Sequence, residues 1–182
     1  MTDDWRLIRL QLLARFRVAL GWVFGPLVLL LAEPTTASLV VGLSIASAGE
    51  ALRFWAAGHL NKSREVTASG PYRWFSHPLY VGSSMMGLGL GVASHSLIAI
   101  GLIALYLALT LTAAIRSEEA HLRRLFGEHY DRFKRGELLR DTGSQRRFSL
   151  AQALANREPR AIAGLLAVWL LLFLKATYNG MF

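Results

Sequence analysis

The residues best suited to chemistry lie in two short segments, Gly70–Tyr80 and Glu118–Glu119. The first segment reads GPYRWFSHPLY and combines one imidazole, at His77, with several aromatic rings, one of them at Tyr80. Both segments adjoin long apolar stretches, where an ionisable side chain is costly and is therefore often functional. The combination indicates an aromatic-walled pocket at a membrane surface, with a histidine donor and a carboxylate available to a ligand.

Both segments also have a simpler interpretation. Pro78 suits the first turn of a helix and disfavours helix at His77, so the aromatic segment can be a helix start within an interfacial belt. The two glutamates can be solvated carboxylates that balance nearby arginines. Glu119 lies four residues before Arg123, a spacing that favours a surface ion pair, which leaves Glu118 as the better ligand candidate.

A second ionisable pair, Glu50 and Arg53, lies inside an apolar stretch. Residues at i and i+3 share a helix face, so the two can form a self-neutralising structural pair. The alternative is a substrate or ion site, which is the usual role of charges within a membrane. The sequence leaves both interpretations open. No cluster of His, Asp or Glu has the spacing of a metal site, and the chain has no cysteine.

Three glycines alternate with leucine in the run Gly87–Gly91. A pattern of small residues favours close packing between membrane helices. A groove that admits a flat ligand would need the same glycines, so Gly87 and Gly89 are also candidate binding positions. No strand precedes the run, which argues against a Rossmann-type phosphate loop.

The elements that position these residues are apolar runs that approach or reach the length of a bilayer. A helix of about 20 apolar residues spans the hydrocarbon layer. The runs are Val18–Ala32, Thr36–Gly58, Leu79–Ser94, Ser96–Ile115 and Ala161–Tyr178, of which the first and third are short. The sequence therefore predicts an all-α integral membrane bundle of about five transmembrane helices, with residues 1–182 forming a single domain.

Basic residues are concentrated on one side of these runs. The N-terminal arm, the connection after Gly58 and residues 116–160 together carry 18 of the 20 Lys and Arg residues. By the positive-inside rule, the N-terminus and both basic connections face the cytoplasm and the C-terminus lies outside, as expected in a cell inner membrane. The basic charge suits anionic headgroups, so membrane lipids are expected partners and nucleic acid is not.

Three other segments are predicted to be helices at the membrane surface. Met1–Arg17 and Arg116–Arg135 both have apolar residues at helical spacing with basic residues between them. Gly136 suits the end of the second of these helices. Ser149 resembles a helix N-cap and would start a third, short helix.

The third and fourth spans are joined only by Ser94–Ser96, which predicts a tight helical hairpin. Both ends of a hairpin return to the same face of the membrane. We therefore expect His77, before the third span, to lie near Glu118–Glu119, after the fourth.

Six short motifs occur in a fixed order between about Glu50 and Arg135. They are Leu52-Arg53-Phe54-Trp55-Ala56, Gly58-His59-Leu60, Thr67-x-x-Gly70-Pro71-Tyr72, His77-Pro78-x-Tyr80-x-Gly82, Glu118-Glu119 and Phe126-Gly127-x-x-Tyr130. Each motif is weak alone, but the ordered set on a membrane hairpin resembles the isoprenylcysteine carboxyl methyltransferase and phospholipid methyltransferase superfamily of integral membrane enzymes. One departure is Ser76, where the superfamily usually has arginine.

The resemblance implies S-adenosylmethionine as the methyl donor, bound near the cytoplasmic face by residues of about 70–135. Carried over motif by motif, the expected cofactor contacts are His77, Tyr80, Glu118 and Glu119. The phospholipid branch also uses a Gly-x-Gly, which either Gly87 and Gly89 or Gly89 and Gly91 could supply.

The resemblance further implies a lipophilic methyl acceptor, either an isoprenylcysteine carboxylate or a phospholipid amine. An amine must be neutral to attack, so Glu50 and Glu118 are candidate catalytic bases. A carboxylate needs no base but favours a cationic anchor, for which Arg53 is the candidate. The sequence leaves the identity of the acceptor and the oligomeric state open.

Two other function classes fit a helical membrane protein of this composition. One is a membrane reductase that uses NADPH, which would bind that nucleotide instead of S-adenosylmethionine. The other is a non-enzymatic transporter or lipid-binding protein, in which Glu50 and Arg53 would mark a permeation path.

Overall fold

The computed structural model describes residues 20–137 and 147–180. Within these ranges the chain is helical, with no β-strand. The helices are α1 (Leu20–Leu31), α2 (Thr36–His59), α3 (Pro78–Ser94), α4 (Leu97–Phe126), α5 (Glu128–Lys134), α6 (Leu150–Ala155) and α7 (Glu158–Tyr178). The predicted all-α class is confirmed, whereas the predicted surface helix at Met1–Arg17 lies outside the described residues.

Three helices, α2, α4 and α7, are long and apolar enough to cross a membrane. Helix α3 has 17 residues and is shorter, as its apolar run predicted. Its length corresponds to about 25 Å at the rise of an α-helix. The described part of α1 is also short and apolar. The bundle thus has the composition of an integral membrane protein, and the count of five spans stays a prediction.

Local sequence sets the helix ends. Thr35 caps α2, because its hydroxyl accepts a hydrogen bond from the Ser38 N–H while the Ser38 hydroxyl accepts one from the Thr35 N–H. Ser149 caps α6 through the Gln152 N–H, as predicted. Pro78 occupies the first turn of α3, which needs no donor there, and leaves His77 at the N-cap.

The predicted surface helix at Arg116–Arg135 is divided in two. Helix α4 continues unbroken to Phe126, and Gly127 then takes a positive φ of 51°. Such a conformation suits glycine and ends the helix, so α5 starts in a new direction. The amphipathic pattern gave no sign of this break, which turns the Lys134 side chain back towards α4.

Helices α2 and α3 pack closely through glycine. A β-carbon added to Gly89 would lie 2.5 Å from the backbone nitrogen of Ala46 and 2.5 Å from the carbonyl oxygen of Gly42. Real side chains do not approach backbone atoms that closely, so the two helix backbones can meet only because residue 89 has no side chain. This contact fixes α3 against α2.

The two ends of the bundle differ in chemistry. At one end, the Glu33 N–H donates to the Ser94 carbonyl, and Lys175 Nζ donates to the carbonyl of Leu30 at the end of α1. At the other end, the Asn156 side chain donates to the carbonyls of Ala57 and Leu60. All the candidate catalytic residues and the candidate cofactor residues His77, Tyr80 and the two glutamates lie towards this second end, which we call the polar end.

Candidate functional site

The centre of the polar end is a contact between α3 and α4. His77 Nε2 lies 3.0 Å from Glu119 Oε1, and the same carboxylate oxygen lies 2.5 Å from Lys134 Nζ on α5. His77 and Glu119 are mostly buried, with 14% and 19% of their side chains exposed. The convergence of His77 with the paired glutamates, expected from the hairpin, is confirmed.

The expected ion pair between Glu119 and Arg123, on which the choice of Glu118 as the ligand candidate rests, is wrong. Glu119 contacts Lys134 and His77, whereas Arg123 forms its ion pair with Asp131, at 3.0 Å. The cause is the break at Gly127, which brings α5 back alongside α4. Glu118 nevertheless faces a pocket, as expected, because consecutive residues on a helix point about 100° apart.

That pocket, here called the His77 pocket, lies between the first turn of α3, the end of α4 and α5. It is narrow, with a cavity volume of about 40 Å³. Its wall includes carboxylate, imidazole, hydroxyl and aromatic groups. Its lining residues include Thr67, Tyr72, His77, Tyr80, Glu118 and Tyr130.

Two phenols in this pocket are held neutral. Burial raises the pKa of Tyr72, and the negative charge of Glu118 raises it further. Burial likewise raises the pKa of Tyr130, with added contributions from Glu119 and Glu118. The Tyr130 side chain is 1% exposed, and its hydroxyl has no hydrogen-bond partner among the described residues. A buried hydroxyl without a partner is unfavourable unless a ligand completes it.

A second group of charges lies near the polar end of α2. Arg53 Nε lies 2.7 Å from Glu158 Oε1 and 3.6 Å from Glu50 Oε2. Its Nη1 also donates to the Ser83 hydroxyl. Glu50 and Arg53 are therefore neighbours, as predicted, but the closer partner of Arg53 is Glu158. Sequence reasoning missed Glu158, whose only sign was an acidic residue directly before Pro159 at the start of an apolar run.

An apolar cavity of about 440 Å³ lies between α1, α3, α4 and α7. Its wall is mostly aliphatic and aromatic, and Arg53 and Ser83 supply polar groups to it. Gly87 lines this cavity, whereas Gly89 lies at the contact with α2. The structure thus places neither glycine in the His77 pocket, and their cofactor role stays a prediction.

The His77 pocket and the apolar cavity approach each other across the first turn of α3. Leu79 lines the pocket, and its carbonyl oxygen accepts a hydrogen bond of 3.4 Å from Arg53, which lines the cavity. Tyr80 lines the pocket, and Ser83 lines the cavity within the next turn. A polar site and an apolar site are thus separated by a single helical turn.

These features define a helical membrane protein with a polar pocket and an apolar cavity side by side near one end. The chain belongs to the phospholipid methyltransferase family, whose model matches residues 23–129. The match includes every residue that lines the His77 pocket except Tyr130 and Phe133. It confirms the superfamily that the motifs indicated. Glu158 and the whole of α7 lie beyond it.

Two curated bacterial proteins are similar to the chain. The nickel-cobalt-cadmium resistance protein NccN of Alcaligenes xylosoxydans xylosoxydans is 37% identical over 98 residues, which are 53% of this chain and 45% of that protein. The cobalt-zinc-cadmium resistance protein CzcN of Cupriavidus metallidurans is 37% identical over 91 residues, or 49% and 41% of the two chains. The matched segment thus covers less than half of each relative. No solved structure matches the chain.

Proposed function

We propose that this chain transfers a methyl group from S-adenosylmethionine to a lipophilic acceptor at the polar end of the bundle. Family membership supports the reaction class. The observation that carries the proposal is the single turn of α3 between the His77 pocket and the apolar cavity. A water-soluble donor and a lipophilic acceptor need two such sites, because each must be desolvated by different groups and yet meet at one reacting atom.

The groups of the His77 pocket suit the donor. S-adenosylmethionine supplies an electrophilic methyl group on a sulfonium cation. Glu118 offers a negative charge to that cation or to a ribose hydroxyl, and the faces of Tyr72 and Tyr80 attract cations. Tyr130 offers a hydroxyl that has no protein partner among the described residues.

Binding of the donor requires the His77 pocket to widen. A volume of about 40 Å³ holds only one or two water molecules. Tyr130, on the wall of the pocket, belongs to α5, the short helix that follows Gly127. Outward movement of α5 about this glycine would enlarge the pocket without disturbing the packing of α2 and α3.

The apolar cavity suits the lipid part of the acceptor. Its volume of about 440 Å³ is in the range of small-molecule sites, and its wall is mostly apolar. Glu118, in the His77 pocket, is the carboxylate available to take a proton from an amine acceptor, and Glu50 is the alternative at the cavity side. Isoprenylcysteine and phospholipid acceptors both remain within the proposal.

The proposed orientation places the polar end at the cytoplasmic face of the cell inner membrane, with the C-terminus outside. Support comes from the distribution of the basic residues, 18 of 20 of which lie in the N-terminal arm and the two connections at the polar end. The donor would then enter from the cytoplasm and the acceptor from the lipid.

The names of the two relatives refer to resistance to metal ions and do not specify an acceptor. Across residues 20–137 and 147–180, no group of three or more His, Asp or Glu side chains could hold a metal ion.

The test is calorimetric titration of the purified full chain in nanodiscs with S-adenosylmethionine, with NADPH as the comparison ligand. We expect saturable binding of S-adenosylmethionine alone, and loss of most affinity in Glu118→Gln. Glu33→Gln, at an exposed position at the opposite end of the bundle, serves as the control and should bind normally.

Transfer is tested separately, by incubating the protein with methyl-labelled donor and bacterial lipid extract and counting label in the lipid fraction. NADPH binding in place of S-adenosylmethionine would favour the reductase. A folded protein that binds neither ligand, with or without lipid extract, would contradict the methyltransferase and support a lipid-binding or transport role.

A further inference from the structure

The polar end of the apolar cavity contains one guanidinium and two carboxylates. Arg53 lines the cavity directly, and Glu158 and Glu50 lie behind it at 2.7 Å and 3.6 Å from its Nε. All three side chains are largely buried, with exposed fractions of 20%, 4% and 10% for Arg53, Glu158 and Glu50. Charge interactions at such a site are screened much less than at a surface.

One carboxylate, that of Glu158, is enough to balance the positive charge of Arg53. Glu158 occupies the first turn of α7, where the partial positive charge of a helix N-terminus stabilises a carboxylate. A guanidinium stays protonated in proteins. The Arg53–Glu158 pair is therefore neutral as a unit, before Glu50 is considered.

Glu50 can only make this site more negative. Neither of its carboxylate oxygens has a hydrogen-bond partner among the described residues, and both are buried. When Glu50 is protonated the group of three is neutral, and when it is ionised the group carries one negative charge. In neither state do these three side chains together present a net positive charge to a bound molecule.

We propose that Glu158 is a positioning residue that sets the charge preference of the apolar cavity. By neutralising the guanidinium of Arg53 at 2.7 Å, it leaves the charge of ionised Glu50 uncompensated, so the cavity end prefers an amphiphile with a cationic head over one with an anionic head. The identification of this cavity as the acceptor site rests on the proposed function, whereas the charge preference itself does not. The sequence indicated no preference, because it offered Arg53 as an anchor for a carboxylate and Glu50 as a base for an amine.

The experiment compares two amphiphiles of equal chain length, dodecylamine and dodecanoate, titrated into the full chain in a non-ionic detergent without S-adenosylmethionine. The measured quantity is the ratio of the dissociation constants of dodecylamine and dodecanoate, compared between each variant and the unmodified chain. Partition of each probe into micelles is the same for every variant and therefore cancels. We expect the unmodified chain to bind the amine more tightly.

Glu158→Gln keeps the shape of the side chain and removes its charge. We expect it to reduce the amine-to-acid preference about tenfold, as loss of one charge interaction at short range in a partly shielded site implies. Arg53→Gln removes the opposite charge and should move the ratio in the opposite direction. Non-specific damage to the fold would not shift the two variants in opposite senses.

Glu158→Asp, which restores the charge, should recover most of the preference, and Glu33→Gln, at the opposite end of the bundle, should leave it unchanged. The proposal is overturned if the unmodified chain prefers dodecanoate, or if Glu158→Gln and Arg53→Gln leave the ratio where it was. Because neither donor binding nor turnover is measured, failure of the methyltransferase assignment would be seen independently.

Discussion

The imidazole Nε2 of His77 lies 3.0 Å from the carboxylate Oε1 of Glu119, although 42 residues separate them in the chain. His77 is the N-cap of α3, and Glu119 lies in the last three turns of α4, where charged residues follow the apolar run. Their contact fixes the orientation of the imidazole at the wall of the His77 pocket. Glu118, on the next position of the same helix, faces the pocket itself.

This arrangement predicts different coupling for the two glutamates. His77→Ala and Glu119→Gln should each lower the affinity for S-adenosylmethionine about tenfold, and the double variant should lose little more, because both changes abolish one shared contact. Glu118→Gln should lower affinity independently of His77. Calorimetric titration of the single and double variants measures the coupling.

Glu137→Gln is the matched control, since Glu137 pairs with Arg135 at an exposed position. Exposed ion pairs contribute little to structure or binding, so this variant should behave like the unmodified chain. Additive losses from His77→Ala and Glu119→Gln would show that the observed contact does not orient the imidazole for the donor.

Removal of the Tyr130 hydroxyl should raise the stability of the ligand-free protein and weaken its binding of S-adenosylmethionine. The hydroxyl is buried without a partner among the described residues, so Tyr130→Phe should raise the stability of the ligand-free protein by about 1 kcal/mol. The same change should weaken S-adenosylmethionine binding several-fold, because the ligand would lose a hydrogen-bond donor. Thermal unfolding in detergent and calorimetry provide the two measurements.

Tyr178→Phe, at a position that is 91% exposed, controls for the loss of a phenol and should change neither quantity. A Tyr130→Phe variant that is less stable without ligand would show that the hydroxyl already has a partner in the ligand-free protein.

The sequence predicted the convergence at the His77 pocket because the connection Ser94–Ser96 is too short to allow any other arrangement of α3 and α4. It could not predict the pairing of Arg53 with Glu158, which depends on how α7 packs against α2. It also missed the turn at Gly127, because the amphipathic spacing continues through that glycine.

The two predicted cofactor glycines show a further limit of motif reasoning. Residues two apart on a helix point about 200° apart, so Gly87 and Gly89 face nearly opposite sides of α3. One lines the apolar cavity, and the other packs against α2. A straight helix therefore cannot offer both glycines to one ligand through the same face, although they lie only two positions apart in the sequence.

The contact at Gly89 predicts a clear stability difference between glycines. Gly89→Ala would place a methyl group 2.5 Å from backbone atoms of α2 that cannot move independently, so it should destabilise the protein by about 2 kcal/mol or more. Gly101→Ala, on α4, meets no atom within 4 Å and should be tolerated. Thermal unfolding of both variants in the same detergent measures the difference, and equal melting temperatures would show that α2 and α3 do not pack as described.

The two buried phenols predict a loss of stability in alkaline solution. The folded state holds the pKa of Tyr72 and Tyr130 above the ordinary value of 10.0, chiefly by burial. Above that pH the unfolded chain releases the phenolic protons while the folded chain keeps them, so the free energy of unfolding falls as pH rises. Below it, both states are protonated and the two phenols add no pH dependence. Tyr72→Phe and Tyr130→Phe should each reduce the alkaline fall in melting temperature, whereas the exposed Tyr178→Phe should leave it unchanged, and an unaltered fall in the first two variants would mean that their phenols ionise in the folded protein.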